Sequence, residues 1–221
     1  MKILKYIMFS VLLAGLTATV QAQNKWESAI RNFEKQDSSA RPAPGGILFT
    51  GSSSIAKWTD IQSYFPGYRV INRGFGGSEF SDLLYYADRV IMPYKPSKIF
   101  IYEGDNDLAA GKKVPEIMQQ ARDLREKIGK ALPGVPVAFI SAKPSIARWE
   151  LREAYESLNA ELKKYAEATL LTMYADVWTP MLDRSGKPLP LFVQDNLHMT
   201  PEGYRIWQKV MLDLLPAGRK D

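Results

Sequence analysis

The sequence predicts an α/β fold: a three-layer α/β/α sandwich around a five-stranded parallel sheet. Three observations carry this reading. Five short apolar or β-branched runs alternate with stretches of helical periodicity, the pattern of successive strand–helix–strand units. Of the 221 residues, 46% are hydrophobic and 11% aromatic, which supplies one domain with a sizeable core. No internal repeat, low-complexity tract or broad linker divides the chain, so residues 23–221 are expected to form a single domain.

The first 22 residues read as a separate object. Lys2 and Lys5 precede an apolar run over 7–16, and Val20-Gln21-Ala22 offers a small-residue cleavage site. This is the layout of a secretory signal peptide, removed near Ala22, and it predicts a periplasmic or secreted protein. The apolar run is too short to span a bilayer. Gln23, where a lipoprotein would carry cysteine, excludes a lipid anchor, so no stable membrane anchor is expected after cleavage.

The mature chain opens with "NKWESAIRNFEKQDSS" (24–39), in which Trp26, Ile30 and Phe33 recur at helical spacing. "ARPAPGG" ends that helix. Strands are expected over 47–50, 69–72, 98–102, 135–141 and 170–175. Helices are expected near 78–91, 115–132 and 149–167, with a last one over 201–215. The stretch 178–198 is unusually long for a connection, and long structured loops in compact domains often carry function.

Composition removes several classes of chemistry. There is no cysteine, which excludes thiol catalysis and cysteine-bound zinc. The net charge of +5 is mild, and the basic residues form no block interleaved with aromatics, so nucleic acid is not an expected partner.

In an open parallel sheet, ligands bind beyond the carboxyl ends of the strands. Gly51-Ser52-Ser53-Ser54 follows the first strand. Asn72-Arg73-Gly74-Phe75-Gly76-Gly77-Ser78 follows the second, and Glu103-Gly104-Asp105-Asn106-Asp107 the third. Asp195-Asn196-Leu197-His198 precedes the last helix. On the stretch alone the three serines read first as a helix cap, and a nucleophile among them requires partners elsewhere in the chain. "GDND" fails as a calcium loop, because Ala109 and Ala110 stand where oxygen ligands and glycine belong. "GFGG" lacks the register of a dinucleotide fingerprint. Glycines there also permit the close backbone approach that an oxyanion hole needs.

His198 is the only histidine in the chain. In an Asp-x-x-His turn the carboxylate can fold back onto one imidazole nitrogen and leave the other free to take a proton from a serine. A serine hydroxyl attacks only when a base removes its proton, and the aspartate fixes the tautomer of that base.

In order, "GSSS", "NRGFGGS", "GDND" and "DNLH" resemble the four blocks of the SGNH, or GDSL-type, hydrolases of esters. The likeness runs over about 45–213, includes "DRSGKPLPLFVQDNLHMTPEGYRIW", and lies nearest the lysophospholipase-like and platelet-activating-factor-acetylhydrolase-like branch. It implies the flavodoxin-like sandwich of that family and no metal or organic cofactor. It implies Ser53 as nucleophile, with Ser52 in place of the family's usual aspartate, and Asp195 and His198 as the rest of a triad. The implied oxyanion hole is the N–H of Ser53, the N–H of Gly77 and the side-chain amide of Asn106, with Gly74 the alternative on a shifted alignment. The implied substrates are carboxylic esters: acetylated carbohydrate, short-chain lipid or lysophospholipid. Arg73, Lys143, Arg148, Trp149 and Trp178 are candidates for lining the rim. The rival reading is a non-catalytic carbohydrate- or lipid-binding module on the same fold. The absence of Gly-x-Ser-x-Gly argues against the nucleophile-elbow esterases.

Overall fold

The layering follows from alternation along the strands. In β1 (Ile47–Gly51) every residue is buried, Leu48 toward one face and Ile47 and Phe49 toward the other. A strand buried on both faces reads as an unbroken apolar run, which is the mark of a parallel sheet covered on both sides. The computed structural model describes residues 24–215 and bears this out. β1, β2 (Val70–Gly74), β3 (Lys98–Tyr102), β4 (Val137–Ile140) and β5 (Thr172–Ala175) form one sheet in the order β2-β1-β3-β4-β5. All neighbours are parallel. The expected signal peptide lies outside the described residues.

The helices are α1 (Glu27–Ala40), α2 (Ser53–Ala56), α3 (Ile61–Tyr64), α4 (Phe80–Val90), α5 (Asp105–Ala109), α6 (Val114–Ala131), α7 (Arg152–Ala168) and α8 (Pro201–Leu212). On one face Leu48, Ile71, Ile99 and Phe139 pack against α1, α4, α6 and α7. On the other, Ile47, Phe49, Phe100 and Ile140 pack against Ile55, Trp58, Phe65 and Trp207, around α2 and α8. Phe49 stacks on Phe100 with centroids 4.8 Å apart and meets Trp58 edge-on at 6.0 Å. Burying rings of this size contributes roughly 2–3 kcal/mol each before entropy.

All five expected strands and the long helices are present, with shifted ends. β2 runs to Gly74, two residues past the expected end, because it pairs with β1 as far as Gly51 opposite Gly74. β5 starts two residues late, at Thr172, since Leu171 adopts a left-handed backbone (φ +56°) that extended pairing excludes. α4 starts at Phe80 because Glu79 stands outside the helix with its N–H donated to the Asp82 carboxylate at 2.9 Å. α2, α3 and α5 are four or five residues long, too short to show a helical period in the sequence.

The strand order places a switch point at β1, whose neighbours β2 and β3 are reached in opposite directions. The crevice beyond its carboxyl end is where such sheets bind ligands. Gly51 ends β1 there with φ +119°, and a Cβ at that position would stand 2.1 Å from the Tyr102 carbonyl oxygen. Only glycine lets β1 lie this close to the end of β3 and turn Ser52 and Ser53 into the crevice.

Candidate active site

The three consecutive serines have three different surroundings. Ser52 and Ser54 are buried, whereas Ser53 opens α2 and is partly exposed. The Ser52 hydroxyl accepts a hydrogen bond from the Asn106 side chain at 2.6 Å. The Ser54 hydroxyl is enclosed, and its carbonyl accepts the Tyr204 hydroxyl at 2.9 Å. The Ser53 hydroxyl alone meets the imidazole, with Oγ 2.9 Å from His198 Nε2.

The turn that carries the histidine is built by its aspartate. Asp195 Oδ1 accepts the backbone N–H of Leu197 at 2.9 Å and of His198 at 2.8 Å, while Oδ2 stands 2.6 Å from His198 Nδ1. Asn196 takes the left-handed conformation (φ +56°) that asparagine tolerates. The Val193 N–H donates to the His198 carbonyl at 2.8 Å and closes the turn. The His198 side chain and the two backbone N–H groups hold the Asp195 carboxyl far below the usual range, so it stays ionised in any ordinary buffer. The network assigns the proton on Nδ1 to face Asp195, which leaves Nε2 to accept the Ser53 hydroxyl proton.

Beside Ser53 lies the glycine turn. A Cβ on Gly76 would stand 3.6 Å from Ser53 Cβ, so the turn rests directly on the serine. Gly77 has φ +80°. Neither its N–H nor that of Ser53 has a hydrogen-bond partner among the described residues. Gly74 is removed from the choice: it lies inside β2, its N–H donates to Asn72 Oδ1 at 2.9 Å, and its Cα side abuts the backbone of α2.

Asn106 sits at the same rim with its amide fixed from three sides. Arg148 Nη2 donates to Oδ1 at 3.0 Å, while Nδ2 donates to Ser52 Oγ at 2.6 Å and to the Ser78 carbonyl at 2.9 Å. Both hydrogens of the amide are thus engaged in the free protein, one by Ser52 and one by the Ser78 carbonyl. The preceding residue, Asp105, is a buried hub. It accepts from Tyr102 at 2.7 Å, from Lys143 at 3.1 Å, and from Arg148 and Tyr155. Burial by itself would raise its carboxyl, but the Lys143 and Arg148 charges and the two tyrosine hydroxyls outweigh that and hold it well below the usual range. Nearby, burial first, with the charge of Asp107 added, pushes Glu103 well above the carboxylate range. It accepts the Ser78 hydroxyl at 2.6 Å.

The expected rim is corrected in part. Arg73 is buried on the α1 side, paired with Asp37 at 2.5 Å and stacked over Phe33 and Tyr94. Lys143 is buried on Asp105. Arg148 lies behind Asn106. Trp149 and the buried Trp178 stack on each other at 5.9 Å. Side-chain type suggested a surface role for these residues, whereas buried carboxylates claimed all three cations.

A family model described as GDSL-like lipase/acylhydrolase matches residues 44–206. The chain belongs to the GDSL-like lipase/acylhydrolase family. It is by that membership a carboxylic ester hydrolase, on the fold that the sequence predicts. Solved structures agree on the fold. A protein from Streptococcus pneumonia named for platelet activating factor superposes with a TM-score of 0.77 at 21% identity, covering 92% of this chain and 99% of that one. A GDSL-like lipase from Bacteroides thetaiotaomicron gives 0.72 at 21% identity, covering 84% and 96%. A catalytic mutant of an acetylxylan esterase from Geobacillus stearothermophilus gives 0.59 at 17% identity, covering 78% and 94%. Among curated proteins no match was found.

Proposed function

We propose that this protein is a secreted or periplasmic serine esterase that works through an acyl-enzyme on Ser53. The observation that carries the reading is the continuous chain from Ser53 Oγ to His198 Nε2 at 2.9 Å and from His198 Nδ1 to Asp195 Oδ2 at 2.6 Å. His198 takes the Ser53 proton as Oγ attacks the ester carbonyl. Asp195 holds the imidazole in the required tautomer and stabilises the imidazolium. The negative oxygen of the tetrahedral intermediate is met by the N–H groups of Ser53 and Gly77 and by the Asn106 amide, which shares or releases its bond to Ser52. The imidazolium then protonates the leaving alcohol. Water, deprotonated by His198, attacks the acyl-enzyme, and Ser53 leaves with its proton restored.

The favoured substrates are small esters, of which acetylated carbohydrate is the first choice. The likeness to an acetylxylan esterase supports it, and the partly buried Trp149 offers some aromatic surface. Short-chain lipid and lysophospholipid esters are the alternatives. Secretion is supported by the Lys2/Lys5, apolar 7–16 and Val20-Gln21-Ala22 pattern. The test is a panel of p-nitrophenyl esters from acetate to decanoate, run beside acetylated xylan and a lysophospholipid. Turnover of acetate and acetylated xylan is expected. Preference for long acyl chains or the lysophospholipid overturns the substrate choice, and no turnover of any ester leaves the binding-module reading.

A further inference from the structure

Trp26 lies before the residues matched by the family model, in a single 3₁₀ turn (Asn24–Trp26) that leads into α1. It is nonetheless 7% exposed and reaches the glycine turn fifty residues away. Its indole N–H donates to the Gly76 carbonyl at 2.9 Å, the only partner of that oxygen among the described residues. The ring meets Phe75 edge-on at 6.2 Å.

The atom that it holds matters. The Gly76 carbonyl and the Gly77 N–H are the two ends of one planar trans peptide, so they point in opposite directions. Fixing the carbonyl fixes the aim of the N–H. Glycines flank this peptide on both sides, so the backbone itself restrains it least of any in the turn. A donor on the carbonyl also polarises the amide and strengthens its N–H as a donor. The indole is itself anchored through α1, where Glu27 and Glu34 pair with Arg89 of α4 at 2.8 and 2.6 Å and Asp37 pairs with Arg73 at 2.5 Å.

We propose that Trp26 is a positioning residue for the oxyanion hole, holding the Gly76–Gly77 peptide so that the Gly77 N–H faces the oxygen of the tetrahedral intermediate. The lead-in helix is then part of the catalytic apparatus rather than a surface addition. This inference rests on the esterase reading above. It makes a particular claim about rate: an oxyanion donor acts on the transition state, so its misplacement lowers kcat and leaves KM in place.

The experiment compares wild type, Ser53→Ala, Trp26→Phe and a protein with benzothienylalanine at position 26, which keeps the ring's size and lacks its N–H. Each is assayed on p-nitrophenyl acetate well below its melting temperature. The expected result for both position-26 proteins is a fall in kcat of roughly ten- to a hundredfold with KM within about twofold of wild type. Labelling of Ser53 by a fluorophosphonate, whose phosphoryl oxygen enters the same hole, slows in parallel. Unchanged kcat in the benzothienylalanine protein, with or without a lower melting temperature, overturns the inference and leaves Trp26 as a packing residue. An inactive wild type overturns the esterase reading and this inference with it, whereas an active wild type with inactive Ser53→Ala keeps that reading whatever position 26 does.

Discussion

Asn106 donates its side-chain N–H to the hydroxyl of Ser52 at 2.6 Å, so the residue before the proposed nucleophile is bonded to a proposed donor of the oxyanion hole. A neutral hydroxyl is a weaker competitor for that hydrogen than a carboxylate would be. Ser52→Ala should therefore retain kcat within about tenfold of wild type, since the transition state loses no partner. Ser53→Ala should lose several orders of magnitude. Ser54→Ala should behave like Ser52→Ala. Steady-state assays of the three variants check this, and a dead Ser54→Ala would move the nucleophile by one position.

Asn106→Ala removes one donor from the hole and should lower kcat by roughly a hundred- to a thousandfold at nearly constant KM. A rise in KM alone would take Asn106 out of the transition state.

Asp105 is a prediction about stability. Lys143 is only 1% exposed and pairs with Asp105 at 3.1 Å, so Asp105→Ala would strand a buried cation. The expected loss is about 3–5 kcal/mol, read as a lower denaturant midpoint. The Asp105 carboxyl is held low in the folded state. Its contribution is complete above the ordinary aspartate range and lost as pH falls through the folded-state value. Acid melts of wild type and variant should converge, and a constant gap between them would contradict the assignment.

Glu103 has the opposite sign. Its carboxyl is raised in the folded state, so the folded protein keeps a proton that the unfolded chain releases above the ordinary glutamate range. Stability should fall as pH rises from there toward the folded-state value. Glu103→Gln removes that titration. The melting temperature of wild type relative to this variant should decline from acid to neutral pH, and a flat difference would place Glu103 as an ionised group.

The layering and the Asp195–His198 pair were legible because both are written locally, whereas Ser53 was singled out by the family resemblance. The unbroken apolar run at the start of "ILFTG" and the unique "DNLH" turn need few residues to be recognised. The Asp105 hub was not legible, because Lys143 and Arg148 come from a loop some forty residues away and only the fold shows that they turn inward. Trp26 was visible as a helical apolar position, but its polar edge carries the consequence, and no sequence period reports where an indole N–H points. Ser52 was seen as a departure from the family pattern. Its bond to Asn106 joins two strand ends that the sequence lists fifty-four residues apart.

The central claim is that His198, held by Asp195, takes the proton of Ser53. The chain contains one histidine, so one imidazole NMR signal reports it without assignment. The decisive measurement lays the pH dependence of kcat/KM for p-nitrophenyl acetate over the NMR titration of that imidazole in the free enzyme. The account predicts a single-proton fall in activity toward acid pH, with the same midpoint as the titration. Midpoints that differ by about a full pH unit or more would contradict it, because no second imidazole exists to carry the proton.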